Sequence, residues 1–378
     1  KKKKKLAKLG EVMTNSQIGG KRNAIINGGF TVSQRNGTTL TATTNNTYFL
    51  DRWKLYLNGS CAVSTQQMLP ADSNVTALNT ASGETFNNVL SIDCTTSASL
   101  GSTDLLGIIQ MIEGSNSVPL AGQTCTLSFH VKTNVTGQYY VAFKISGSGE
   151  RTYLAPYTIS SADTWEKKTI TFTNDTLANL NSNASVTTSS GLQVYFGLRL
   201  GTSGQMSNTL NAWHSGNYYG KSDQVTWGTN TSDTFYIGGI QLEKNGQATP
   251  FEHRSFGEEL ALCQRYFYAF ADGRNGNDRH IGTGTYYASN AIFFNCKFPV
   301  SMRVKPTLES TVGTNYYIAF RNGAGDHFDE IVTFSNHTST EIAELKGQTN
   351  VSGTAGHGTF LRLGGTSNTA KLFFDSEL

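Results

Sequence analysis

Strand periodicity is the tightest constraint on this chain. Cys125, Leu127, Phe129 and Val131 alternate with Thr126, Ser128, His130 and Lys132, and beyond a Thr-Gly turn Tyr139, Val141, Phe143 and Ile145 repeat the alternation. Because successive strand residues point to opposite faces, this pattern predicts half-buried antiparallel strands with one apolar and one polar side. Lys168, Ile170 and Phe172 follow Trp165 in the same register, and Leu192, Val194, Phe196, Leu198 and Leu200 form the longest alternating run. Phe235 and Ile237 face one way, whereas Ile240 and Leu242 have slipped phase across Gly238-Gly239, which predicts a bulge.

A second region repeats the logic. Phe294, Cys296, Phe298 and Val300 alternate with Asn295, Lys297 and Pro299, and further strands are expected over 302–309, 316–320, 330–334, 360–363 and 371–374. Between the two regions Ser255 and Glu258 stand in capping-box spacing, followed by Leu260, Cys263, Phe267 and Phe270 at helical spacing, with Leu262 and Tyr266 widening the stripe. At the other end Leu6, Leu9 and Met13 give one short amphipathic helix, too short to be stable alone in water. No βαβ spacing and no long repeat is evident. The expected fold is therefore all-β: an N-terminal segment (1–22), a jelly-roll-like antiparallel sandwich (23–254), a linker helix (255–271) and a second β-sandwich (272–378).

Composition narrows the partners. Charged residues make up 15% of the 378 and aromatics 11%, a profile of polar turns and neutral surfaces that hydrogen-bond rather than pair charges. Formal charge is +3, yet without Lys1 to Lys5 the chain has 25 Lys and Arg against 27 Asp and Glu. A near-neutral body argues against nucleic acid as a partner. The lysine run has no interleaved aromatics and reads as a solvated end. The chain does not begin with Met and is expected to belong to something longer. No apolar run is long enough for membrane insertion, and no signal peptide is visible.

Catalytic and metal motifs are sparse. Cys61, Cys94, Cys125, Cys263 and Cys296 have neither CxxC spacing nor even count, and read as small buried hydrophobes. HExxH, GxSxG, the P-loop and a strand-borne GxGxxG are all missing. The seven histidines are scattered. His130 lies on the polar phase of its strand and reads as a surface residue, and Asp326-His327 falls in a Gly-rich stretch with no serine nucleophile indicated. Glu258-Glu259 suit a helix start. Asp272, Asn275, Asn277 and Asp278 could offer oxygen ligands, but Arg274 and Arg279 oppose a cation, so an Asx-rich turn is expected. Asn27-Gly28-Gly29 reads as a turn, and Asp51, Arg52 and Trp53 as a packed corner with a buried ion pair. No cofactor and no catalytic residue is signalled.

Two long motifs carry a resemblance. QLEKNGQATPFEHRSFGEELALCQRYF, within residues 239–267, resembles the junction in tail-fibre and receptor-binding proteins of tailed bacteriophages, and NSQIGGKRNAIINGGFTVSQRNGT with YFLDRW (Asn15 to Trp53) resembles their opening. In order, TLSFHVKTNVTGQYYVAFKI, RTYLAPYTI, TWEKKTITF and GLQVYFGLRL, within residues 126–200, further resemble the jelly roll of carbohydrate-binding modules. The first likeness implies a non-enzymatic virion protein made in the bacterial cytoplasm, a homotrimer joined to other virion proteins through its N-terminal segment and binding host surface polysaccharide. A structural virion component and a glycan-degrading tail enzyme are the alternatives. The second implies a sandwich that holds sugar on its concave face or rim, with a structural calcium ion as an optional companion.

The stretch 201–234 has no period-two pattern, and so long a loop in a compact domain is usually functional or disordered. Trp213, Tyr218, Tyr219 and Trp227 argue for order. Such rings stack on the C–H faces of sugars while Asn211, His214 and Asn217 would meet hydroxyls. The competing expectation is that the rings pack the loop down as a lid, which the presence of a similar aromatic loop before the QLE strand in related tail proteins favours.

Overall fold

The structure, a computed structural model, describes residues 22–36, 38, 41–145, 149–180, 188–203, 205–273, 280–364 and 369–378. The expected N-terminal helix and most of the Asx-rich turn lie outside these residues. The chain is all-β and divides into two compact units, one running to Glu259 and including Leu378, the other spanning Leu260–Glu377. Every ladder between named strands in the ranges below is antiparallel.

The first unit has two sheets. One runs in the order β1 (Thr41–Thr43), β4 (Ala62–Met68), β5 (Val89–Thr96), β13 (Thr234–Glu243), β7 (Thr124–Thr133), β10 (Glu166–Thr173). The other runs β12 (Trp213–Ser215), β9 (Arg151–Ile159), β8 (Gly137–Ile145), β11 (Ser190–Leu200), β6 (Leu105–Glu113), β3 (Trp53–Asn58), β2 (Tyr48–Leu50). The apolar phases read from the sequence form one shared core: Leu127, Phe129 and Val131 of β7 meet Val141 and Phe143 of β8 and Val194 and Phe196 of β11. The bulge falls where the phase slips, with a register shift between Gly238 and Gln241 and Gly239 at φ +59.

The two motifs that carry the phage resemblance meet here. Asn23 donates to the Ile240 carbonyl at 2.9 Å and accepts from Leu242 N at 3.0 Å. Glu252 accepts from Arg22 N and Asn23 N, and Glu259 from Asn27 N at 2.6 Å. Asn27, at φ +57, also accepts the Trp53 indole N–H at 3.0 Å. A Cβ on Gly28 would lie 2.1 Å from the Ile240 carbonyl, so backbone approach there demands glycine. Asp51, Arg52 and Trp53 are buried as expected, with Asp51 accepting from the Gln34 backbone and side chain at 2.6 Å and Arg52 donating to the Met111 carbonyl.

Two expectations need correction. The capping box forms, Ser255 Oγ accepting from Glu258 N at 3.3 Å and Glu258 accepting from Ser255 N at 3.0 Å. The helix expected over 255–271, however, covers only Phe256–Gln264, and Phe267–Asp272 is a strand, β14. Its aromatic composition suits pairing with β23 (Lys371–Asp375), and helical spacing of Phe267 and Phe270 was coincidental with strand propensity. His130 is buried rather than exposed. A helix absent from the sequence reading, α1 (Ser73–Ser82, capped by Asp72 and Gly83), and the Phe86 ring cover the outer side of its sheet.

The second unit pairs β14, β23 and β17 (Thr307–Ser310) in a small sheet. Its larger sheet runs β19 (Ala324–Phe328), β18 (Tyr317–Arg321), β22 (Gly358–Leu363), β15 (His280–Ala288), β16 (Ala291–Lys297), β21 (Ile342–Gln348), β20 (Glu330–Thr333). Phe294, Cys296, Tyr317, Leu345, Leu361 and Phe374 share its core. Asp326-His327 lies on β19 rather than in a turn. All five cysteines are buried.

Candidate functional site

The outer face of the β12-to-β2 sheet is unusually apolar for a solvent side. Tyr140 and Ala142 of β8, Leu154 of β9, Ile109 of β6 and Tyr195 of β11 line it, and Gly107 and Gly197 make room for the Tyr195 ring and the Gln224 side chain. Residues 205–225 of the loop fold over that face. Tyr219, Met206 and Leu210 pack onto it, and backbone bonds staple the loop to the sheet: Asn211 N to Leu154 O at 2.9 Å, Gly216 N to Glu150 O at 2.8 Å, Val225 N to Gln138 O at 2.9 Å. Thr152 Oγ1 donates to the Gly216 carbonyl and accepts from Tyr218 N, and Tyr140 OH donates to Asp223 at 2.5 Å.

The structure divides the five predicted glycan-contacting residues. Trp227 is 0% exposed, part of the main core, its indole donating to the Thr234 carbonyl. Tyr219 is buried edge-on to Tyr195 at 4.9 Å, with the Lys144 ammonium 3.6 Å from its ring centroid. A ring with no exposed face offers none to a sugar, so these two pack the loop. Trp213 is half-buried on β12, 5.8 Å from Tyr153, with its indole N–H on the Thr173 carbonyl at 2.9 Å. Strand alternation sends the next residue, His214, to the other side. There it stacks on Tyr218 at 4.9 Å and 24° between planes. His214 Nε2 and Asn217 Oδ1 have no hydrogen-bond partner, and Asn211 is exposed. Of the five, His214 and Tyr218 are thus brought together as a part-exposed ring pair, with the partnerless His214 Nε2 and Asn217 Oδ1 buried beneath the loop surface.

Sequence reasoning missed a strongly perturbed cation under the loop. Lys144 sits on the polar phase of β8, yet the loop buries it, and burial pushes its ammonium down to about 7 against the attraction of Glu150. Burial likewise pushes the Tyr219 phenol up to about 12. Gln224, whose amide has no partner at either atom, lies against Gly197 and Gly220, where any side chain would collide with it. Nothing in a local sequence window signals that a distant loop covers Lys144. Among the described residues no three of His, Cys, Asp and Glu gather as a metal site, and no helix is long and apolar enough to cross a membrane.

Neither a family model nor a curated protein matches the chain. Among solved structures it is similar to the enzymatically active domain of a tailspike protein of bacteriophage CBA120, at 12% identity and TM-score 0.29, covering 58% of this chain and 21% of that one. It is also similar to a family 61 carbohydrate-binding module in complex with β-1,4-galactotriose (13% identity, TM-score 0.27, 60% of this chain and 100% of that one). A third is a family 11 carbohydrate-binding module from Clostridium thermocellum in complex with a mixed-linked tetrasaccharide (12%, TM-score 0.26, 57% and 99%). The chain spans about a fifth of the tailspike chain. Scores at this level do not extend to a shared family or function.

Proposed function

We propose that this chain is a non-enzymatic bacteriophage virion protein, a tail fibre or related adhesin, that binds host surface glycan at the edge formed by β12 and the loop after it. The stacked, part-exposed His214–Tyr218 pair carries the reading, with the exposed Asn211 in the same loop. Part-exposed aromatic faces are what the C–H face of a pyranose ring stacks on, and the near-neutral composition suits an uncharged ligand. The loop is stapled to the sheet, so ordering it costs little on binding. Homotrimeric assembly and attachment through residues 1–22 belong to the same proposal.

The test is retention of the full chain on host polysaccharide, with a check for released oligosaccharide. Binding without release, lost in the His214→Ala/Tyr218→Ala double variant whose melting is unchanged, supports the proposal. Released oligosaccharide would make the chain an enzyme. Burial of Trp227 and Tyr219 favours a second reading, a structural virion component whose loop is scaffold; undiminished binding in the double variant, or none in the parent, would favour it.

A further inference from the structure

The second unit carries an open cleft of about 550 Å³ on the outer face of its larger sheet. Its floor is a cross-strand row: Phe360 on β22 stands opposite Thr283 on β15 and opposite Phe320 on β18. The β18–β19 turn, Arg321 to Gly323, forms one wall, with Asn322 and Gly323 both at positive φ, and Gly358 and Thr359 lie on the other strand. Phe360 is 59% exposed in mid-strand, a costly place for an unaccompanied ring.

On β15, β18, β19 and β22 the outward-facing charge has one sign. Two residues along β22 from Phe360, the Arg362 guanidinium lies 4.5 Å from the Phe320 ring centroid. Among the described residues no carboxylate pairs with Arg362, and its Nε has no acceptor. The exposed imidazoles of His280 and His327 stand on the flanking strands, His280 directly opposite Arg362. The only carboxylate in β15, β18, β19 and β22 is Asp326, which is in phase with the core residue Phe328 and already accepts from Tyr286 OH and Ser352 N, both at 2.9 Å. Arg321, in the wall, is turned to the Tyr286 ring at 5.2 Å and the Ser352 carbonyl. An aromatic floor, hydrogen-bonding walls and the Arg362 guanidinium beside the floor therefore fit a ring that is apolar on its face, hydroxylated at its rim and anionic at one corner.

We propose that this cleft binds a carboxylate-bearing sugar residue of a saccharide chain. The ring stacks its C–H face on Phe360, the carboxylate meets the planar fork of Arg362, and hydroxyls meet the Asn322 amide and Thr283 hydroxyl. This second site lies in the other unit and does not rest on the β12 edge.

The full chain is applied to an array of uronic- and sialic-acid-containing oligosaccharides beside their neutral counterparts. Acidic glycans should be retained, with binding falling about tenfold or more in Arg362→Gln and in Phe360→Ala and weakening as salt is raised. The His214→Ala/Tyr218→Ala variant should retain them fully, which separates this site from the first. Both single changes are at solvent-facing side chains, and unchanged melting confirms folding. Retention of neutral glycans alone, no retention at all, or parental binding by Arg362→Gln would overturn the proposal. So would dissociation of an oligomer by Phe360→Ala in sedimentation, since the cleft would then be a contact between copies.

Discussion

The Lys144 ammonium lies 3.6 Å from the centroid of the Tyr219 ring, so a charge from the sheet is capped by a ring from the loop. Burial lowers the lysine from its ordinary 10.5 to about 7. Between those values the unfolded chain holds the proton and the folded chain does not, so stability rises with pH across that window. Lys144→Met should therefore be more stable than the parent at pH 6.5, by something on the order of 3 kcal/mol less the lost cation–π contact. The gain should shrink towards pH 10. Urea midpoints at the two pH values check it, and an equal gain at both would show that the ammonium is not the cost.

His130 makes the same case on the other sheet, at lower pH. Burial under Phe86 lowers it from 6.5 to about 4, Lys167 adding to the effect and Glu84 opposing it. Here the unfolded chain is protonated and the folded chain is not between about pH 6.5 and 4, so stability is lost as pH falls through that range. His130→Leu should remove about 3 kcal/mol of this acid sensitivity. Thermal melts from pH 7 to 4 read it directly. A parental slope in the variant would place the acid sensitivity elsewhere.

Arg199 and Asp104 form a buried ion pair at 2.8 Å, and Arg199 also donates to the Trp227 carbonyl at 3.1 Å and the Ala98 carbonyl at 3.0 Å. Removing one partner leaves a buried charge uncompensated. Asp104→Leu should destabilise the first unit by roughly 3–5 kcal/mol. Replacing both residues with apolar side chains should recover much of that loss, measured by denaturant unfolding. A double variant no better than the single would show that the Arg199 bonds to backbone, not the pair, hold the loop.

Trp227 and Tyr218 separate packing from presentation within one loop. Trp227→Ala opens a cavity in the main core and should cost about 3–5 kcal/mol. Tyr218→Ala removes a half-exposed ring and should cost under about 1 kcal/mol. Differential scanning calorimetry distinguishes them, and comparable losses would mean that Tyr218 is scaffold too.

Much of this was written locally. Alternation in Cys125 to Ile145 and Leu192 to Leu200 named the strands and their core faces, because side-chain direction in a strand depends only on position along it. The phase slip at Gly238-Gly239, the capping box at Ser255 and Glu258, and the Asn27 turn were legible for the same reason: each is a contact between near neighbours or a demand on one residue's backbone. What alternation cannot say is whether the second face meets water. For His130 that was decided by α1 and Phe86, and for Lys144 by a loop some sixty residues and more along the chain, so both polar-phase residues ended up buried. The glycan candidates divided on the same ground. Trp213 and His214 are adjacent in sequence and opposite in space, and Trp227 belongs to the core. Phe360 and Arg362 share a face of β22 by alternation alone, but Phe320 and Thr283 join them only because β18 and β15 flank β22 in a sheet whose order no local pattern encodes. Local periodicity determined the strands; the pairing of distant strands and the covering of their outer faces, set by where apolar area could be buried, decided which side chains remain free to bind.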